Sequence, residues 1–176
     1  SSNIGAVEIA RQLGTAKQKD FLASVGLLSR LVYDGPQSAA PLTPSEWDAL
    51  TSATVSYGHG LAVTPLAFAM TYAPFANGGQ YLSPVFLEPI QPTKLEKHRV
   101  VSETTARAVM TMMRYTVVRG TGKNANAPGY EVAGKTGTAE KPGPDGYDPD
   151  RNITSFAAVF PASRPQFVVL VVLDEA

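Results

Sequence analysis

With 176 residues, the chain is long enough for one domain with a sizeable hydrophobic core. Its 15 Lys plus Arg balance 15 Asp plus Glu, so no net field selects nucleic acid or an anionic membrane as a partner. Cysteine is absent, which excludes a disulfide framework and thiolate metal sites. No apolar run reaches the roughly 18–20 residues that span a bilayer, and the start carries no signal-like segment.

Ile4, Val7, Ala10 and Leu13 recur at helical spacing and stop at Gly14, predicting a short amphipathic helix with Ser1-Ser2-Asn3 at its mouth. A Ser and an Asn there are N-cap residues on local grounds. Thr15 followed by Gln18 reads as a capping box opening a second helix with Phe21, Leu22 and Val25 on its apolar face. Residues 28–44 are rich in Gly, Pro, Ser and Ala without a period and read as a loop. Thr43-Pro44-Ser45-Glu46 combines a capping box with a proline at the first helical position, predicting helix through Trp47 and Leu50. Trp47 reads as a core or loop anchor.

His59, between Gly58 and Gly60, is one of two histidines, and no carboxylate or second histidine stands at ligand spacing. It reads as a packed or turn histidine, and no metal or cofactor is expected. Thr64-Pro65 caps a helix expected to run to Ala76 and to end at Asn77-Gly78-Gly79. Tyr81 to Leu87 reads as extended, with Pro84, Pro89 and Pro92 barring a central strand. Lys94 to Arg99, including His98, reads as a solvated connector. Ser102 caps a helix with Ala106, Val109, Met110, Met113 and Val117 on one face, where methionine is core filler. Gly120 to Gly129 reads as a mobile loop.

Gly134 to Lys141 reads G-K-T-G-T-A-E-K, after an alternating Tyr130 and Val132 and before a stretch broken by Pro142, Gly143, Pro144, Gly146 and Pro149. That context predicts a strand running into a turn. Ile153 to Phe160 and Phe167 to Leu173 follow as two more strands joined by a hairpin-like connection, giving a three-strand antiparallel meander. Helices first and strands last indicate an α+β fold, mainly helical over 1–129 and sheet over 130–176. Gly129, Gly134, Lys135 and Thr136 also fit the phosphate-loop pattern, and Phe167 to Glu175 fits its acidic strand. A phosphate site needs Lys-Thr to open a helix whose free N–H groups hold the anion. The glycines and prolines after Thr136 forbid that helix.

Ser1-Ser2-Asn3 and Lys135-Thr136-Gly137 instead match the S-x-N and K-T-G elements of penicillin-binding proteins and class A β-lactamases, in the same order. Together with Ser56-Tyr57-Gly58-His59-Gly60-Leu61, Val63-Thr64-Pro65-Leu66 and Ala76-Asn77-Gly78-Gly79, they make nearly the whole chain resemble the transpeptidase domain of class B penicillin-binding proteins, of the septal, cell-division type (penicillin-binding protein 3). The resemblance implies a penicillin-binding transpeptidase or serine β-lactamase-like fold, here incomplete at both ends. It implies a nucleophilic serine that attacks D-Ala-D-Ala in a peptidoglycan stem peptide, with an amine of a neighbouring stem resolving the acyl-enzyme. By the same resemblance Ser1 passes a proton to the leaving group, Asn3 holds a substrate amide and Lys135 supplies charge and proton relay. Thr136 and Thr138 bind the terminal carboxylate, Gly137 lets substrate lie against the strand, and the Thr138 N–H stabilises the oxyanion. Implied partners are stem peptides, β-lactams and, for the full-length protein, membrane proteins of the division complex. The implied location is the periplasmic face of the inner membrane, through an N-terminal anchor outside this chain.

Three features depart from the family. No serine has a lysine three residues on, so the S-x-x-K nucleophile and its base are missing and the chain alone is expected not to acylate. His59 stands where the family often has Tyr. Phe167 to Leu173 is left as a candidate exposed edge. A β-lactamase-like hydrolase or β-lactam sensor shares the same triads, but the hydrolase needs a deacylating base, and Glu46 is poorly placed for it.

Overall fold

The computed structural model describes residues 2–87, 97–143 and 146–175. These form two compact units, Ser1–Pro74 with Gln80–Val101 and Phe75–Gly79 with Ser102–Ala176. The first unit carries helices α1 (Asn3–Leu13), α2 (Thr15–Ser24), α3 (Ala49–Ser56) and α4 (Pro65–Met70), and the hairpin β1 (Gln80–Leu82) with β2 (Lys97–Arg99). A short helix α5 (Ala73–Ala76) falls at the boundary. The second unit carries α6 (Glu103–Arg119), a 3₁₀ turn at Lys123–Ala125, and strands β3 (Ala133–Gly143), β4 (Gly146–Phe160) and β5 (Phe167–Asp174).

Several helix ends differ from the local reading. The α2 N-cap is Gly14 at φ 87, and Thr15 caps nothing. Gln18, the other half of the expected box, is buried: its amide donates to the Ser52 carbonyl (2.9 Å) and its oxygen accepts from Trp47 Nε1 (3.1 Å). A buried carboxamide needs such partners, and here they tie α2 to α3 and make Trp47 a loop anchor. Asp48, not Thr43, caps α3, accepting from the Thr51 N–H at 2.7 Å, so Thr43 to Trp47 stays outside the helix. Thr64 does cap α4, but that helix ends at Met70 because Pro74 has no N–H to bond the Met70 carbonyl.

Two expectations fail in the hairpin. The extended run stops at Leu82, and Phe86 and Leu87 instead donate their N–H groups to the Asp34 carboxylate at 2.6 and 2.8 Å. Those bonds hold the Asp34 carboxyl below the usual aspartate range. Lys97–Arg99 is a strand rather than a connector, with His98 opposite Tyr81. The His98 ring stacks on Tyr81 at 5.0 Å, and its Nε2 lies 2.8 Å from the Ser24 carbonyl, which can only accept, so Nε2 carries the proton. Pro89, Pro92 and residues 94–96 lie outside the described residues.

In the second unit α6 follows its reading closely. Ser102 accepts from the Thr105 N–H (3.0 Å), and Ala106, Met110, Met113 and Val117 are buried. The core gathers Val117, Val132 and Ala158, with Ala125, Phe156 and Phe160 packed against it. The sheet is the expected meander, in the order β3-β4-β5 and antiparallel throughout. Its β4 strand starts earlier than expected, at Gly146, and pairs with Lys141–Gly143 as a ribbon beyond a register shift after Glu140. Among the described residues β5 has a neighbour on one side only, and Phe167, Val169 and Val171 to Leu173 are exposed, as the edge reading expects.

Candidate active site on strand β3

The lead-in to β3 is a tight turn rather than an extended segment. Glu131 has φ 46, its carbonyl accepts from the Ala162 N–H (2.8 Å), and its carboxylate accepts from the Ser163 hydroxyl. Arg114 on α6 donates to the Val132 carbonyl at 2.8 Å and to Asn126 at 3.0 Å. The strand therefore leaves a point fixed from two sides. Lys135 and Thr136 then sit mid-strand, opposite Ala157 and Phe156, and open no helix, which removes the phosphate-loop reading.

Alternation along β3 puts Thr136 and Thr138 on one face and Lys135 and Gly137 on the other. Thr136 is half-buried and Thr138 exposed. The Lys135 ammonium donates to the Thr136 carbonyl at 2.5 Å, and burial pushes its pKa below the usual lysine range. Position 137 accepts no bulk without rearrangement, since a Cβ there would stand 2.6 Å from Ser155 Oγ. Among the described residues β3 is an edge strand, with β4 on one side and no strand on the other. Its free edge can take an extended ligand as an added strand.

The S-x-N element belongs to the first unit. Ser1 lies outside the described residues. Ser2 is the N-cap, its hydroxyl accepting from the Gly5 N–H at 3.1 Å, which leaves Asn3 as the first helical residue, exposed and outside the cap. The capping role expected of this triplet thus falls on its middle residue. His59 sits in a turn edge-on to Tyr57, with ring centroids 5.3 Å apart.

One neighbour of the strand escaped the sequence reading. Thr121, in the segment expected to be mobile, places its hydroxyl 3.0 Å from that of Thr136. A cavity of about 680 Å³ also lies along α6, lined by Phe75, Met110, Arg114, Tyr115, Glu131 and Ser163 among others. No residue from Lys135 to Thr138 lines it. Its charges are already engaged, Arg107 with Glu103 at 3.2 Å, Arg114 with Val132 and Asn126, and Glu131 with Ser163. Among the described residues no group of acidic, His or Cys side chains could hold a metal, and no helix is long and apolar enough to cross a membrane.

A K-T-G strand at the edge of an antiparallel sheet, backed by a helix, defines the α+β class of penicillin-binding transpeptidases and serine β-lactamases. The family model for the penicillin binding protein transpeptidase domain matches residues 1–176, and the chain belongs to that family. Its type is the class B, FtsI or penicillin-binding protein 3 type. It is 38% identical over 185 residues to the probable peptidoglycan D,D-transpeptidase FtsI of Caulobacter vibrioides, covering 99% of this chain and 31% of that protein. To peptidoglycan D,D-transpeptidase FtsI of Escherichia coli K12 it is 35% identical over 178 residues, covering 99% and 30%. Among solved structures, penicillin binding protein 3 of Mycobacterium tuberculosis complexed with aztreonam matches at TM-score 0.91 and 32% identity, covering 98% of this chain and 43% of that one. The transpeptidase domain of penicillin-binding protein 3 from Burkholderia pseudomallei matches at 0.90 and 36%, covering 99% and 54%. The chain thus spans about a third of the length of the curated relatives it matches.

Proposed function

We propose that the chain is the carboxylate-binding part of a serine D,D-transpeptidase that cross-links peptidoglycan stem peptides during septal wall synthesis and is acylated by β-lactams. The observation that carries this reading is the Lys135-Thr136-Gly137-Thr138 run on β3, an edge strand of the sheet among the described residues. The stem peptide, or the opened β-lactam, lies along that edge with its carboxylate on the Thr136 and Thr138 hydroxyls. The Thr138 N–H is one oxyanion donor, active only as negative charge develops on the scissile carbonyl. Asn3 holds the substrate's amide. Ser1 relays a proton toward the leaving amine, and Lys135 supplies charge and proton relay, its lowered pKa suiting an exchange of protons.

The nucleophile and its lysine belong to a part of the longer enzyme that this chain does not hold. Two observations support that statement: no serine here is followed three residues later by lysine, and the matched relatives are about three times as long. The chain alone is then inactive. In the full-length enzyme an N-terminal anchor places the domain in the periplasm beside the membrane proteins of the division complex.

The test is exposure to a fluorescent penicillin, followed by denaturing electrophoresis. The full-length protein should hold a stable adduct and the isolated chain none. Rapid turnover by the full-length protein would favour a β-lactamase-like hydrolase instead. No reaction in the full-length protein would overturn the proposal.

A further inference from the structure

Thr136 is one of the carboxylate ligands in the reading above, yet a threonine hydroxyl swings its proton about the Cβ–Oγ bond even where χ1 is held in one well. A ligand group that must point one way needs a neighbour to hold it. The neighbour is found 15 residues earlier in the chain, where Thr121 Oγ1 lies 3.0 Å from Thr136 Oγ1.

Thr121 is itself fixed by the two glycines that flank it. The N–H groups of Gly120 and Gly122 both donate to the Thr116 carbonyl in the last turn of α6, at 2.9 and 3.2 Å. A Cβ on Gly120 would stand 2.9 Å from that same carbonyl oxygen, so a larger residue would break the turn. A Cβ on Gly122 would stand 3.2 Å from the ring of Phe156, the residue directly opposite Thr136 on β4. Residue 122 is buried while Thr121 is exposed. The backbone is thus packed onto the helix end and onto Phe156, and only the Thr121 side chain projects toward the exposed side of β3.

We infer that Thr121 is a positioning residue for the reaction, orienting the Thr136 hydroxyl toward the substrate carboxylate; this rests on the reading of Thr136 as a carboxylate ligand. The chemistry is a two-link chain. Either hydroxyl can donate across this contact; with the carboxylate bound, Thr121 is the donor, which occupies a lone pair of Thr136 Oγ1 and leaves the Thr136 proton to point at the carboxylate. Successive hydrogen bonds polarise one another, so the second link is strengthened by the first. The effect is specific to an anionic substrate terminus.

The experiment uses the full-length enzyme carrying this chain and measures the second-order rate of acylation by one β-lactam in two forms, the free carboxylate and its methyl ester. Thr121→Val keeps the shape and removes the hydroxyl. It should slow acylation by the acid about 3- to 10-fold, the range of one neutral hydrogen bond, and leave the ester rate unchanged. Thr121→Ser should restore the acid rate to within about twofold, because the hydroxyl returns. Thr136→Val should also depress the acid-to-ester ratio, and adding Thr121→Val to it should cost nothing further. A ratio that falls with Thr136→Val and not with Thr121→Val overturns this inference and leaves the carboxylate reading intact. A ratio moved by neither overturns both. Equal slowing of acid and ester by Thr121→Val shows a merely structural role, and full additivity of the two substitutions shows that Thr121 does not act through Thr136; either result overturns the inference.

Discussion

Two glycines three residues apart on β3 should respond in opposite ways to the same added methyl. Both have ordinary extended φ values, so alanine fits the backbone at either site. At Gly134 the new Cβ would stand 2.5 Å from Phe156 Cζ and 2.8 Å from the Ala157 carbonyl oxygen. Optimal contact between carbon atoms is about 3.5–4.0 Å, so the ring must retreat by about 1 Å and the carbonyl by more than half that. The ring can tip, but the carbonyl belongs to the β3–β4 pairing. Overpacking of this kind costs about 1–3 kcal/mol, and the backbone clash puts Gly134→Ala near the upper end. At about 2–4 °C per kcal/mol for a chain of this size, the melting temperature should fall by about 6–12 °C. At Gly137 the only close atom is Ser155 Oγ at 2.6 Å, the end of a side chain that can rotate away. Reduced freedom of the unfolded chain partly offsets that contact, so Gly137→Ala should stay within about 3 °C of the parent. Thermal unfolding followed by circular dichroism compares the two directly. Equal melting temperatures for the two variants, or a larger loss for Gly137→Ala, would refute the reasoning.

Val117 has no exposed surface, and Val117→Ala removes two carbons at about 0.8 kcal/mol each plus a cavity term, about 2–3 kcal/mol in total. Its neighbour Val118 is 42% exposed, and Val118→Ala should cost less than about 0.5 kcal/mol; urea denaturation midpoints would separate them or sink the core assignment. Hydrogen bonds from Lys141 and Arg151 hold the Glu175 carboxyl below the usual glutamate range. Its contribution is therefore present above the unfolded-state value and lost as pH falls through the lower folded one. Amide protection in the outer β3–β4 ribbon, with intrinsic exchange divided out, should fall in that acid window, and the fall should vanish in Glu175→Gln; an unchanged protection profile would contradict it. Burial disfavours the Lys135 ammonium, so its contribution to stability rises as pH climbs from the folded pKa toward the unfolded lysine value. Reductive ¹³C-methylation and NMR should find the signal that is lost in Lys135→Arg titrating below the usual lysine range, and titration within that range would argue against the assignment.

What was legible in the sequence is what local physics decides. The α6 helix follows from its Ser102 cap and one apolar face, and β4 and β5 follow from two apolar runs set apart by the Pro161 to Gln166 connection. The failures share a cause, a partner distant in sequence. Gln18 looked like a capping residue because nothing near it announces Trp47 and Ser52, 29 and 34 residues away. Polar His98 looked solvated because Tyr81 and Ser24 are remote. Within the site, Lys135, Thr136, Gly137 and Thr138 could be named because they are consecutive. Thr121 could not, since a Gly-Thr-Gly triplet gains meaning only through a contact across 15 residues.

The Lys141 ammonium reaches Asp174 at 2.8 Å and Glu175 at 2.6 Å, and Arg151 also grips Glu175 at 2.6 Å. These charges meet where β5 runs out, opposite Ile153, while β3 and β4 continue outward as a two-stranded ribbon. The four side chains act as a collar around the sheet. Residues added beyond the collar extend the ribbon, outside the stretch where Lys135 to Thr138 pair with Ala157 to Thr154. Loop growth in a protein of this kind therefore has a permitted address, set by the collar rather than by distance from the ligand, and grafting extra residues next to Gly143 is the way to extend this surface without moving its chemistry.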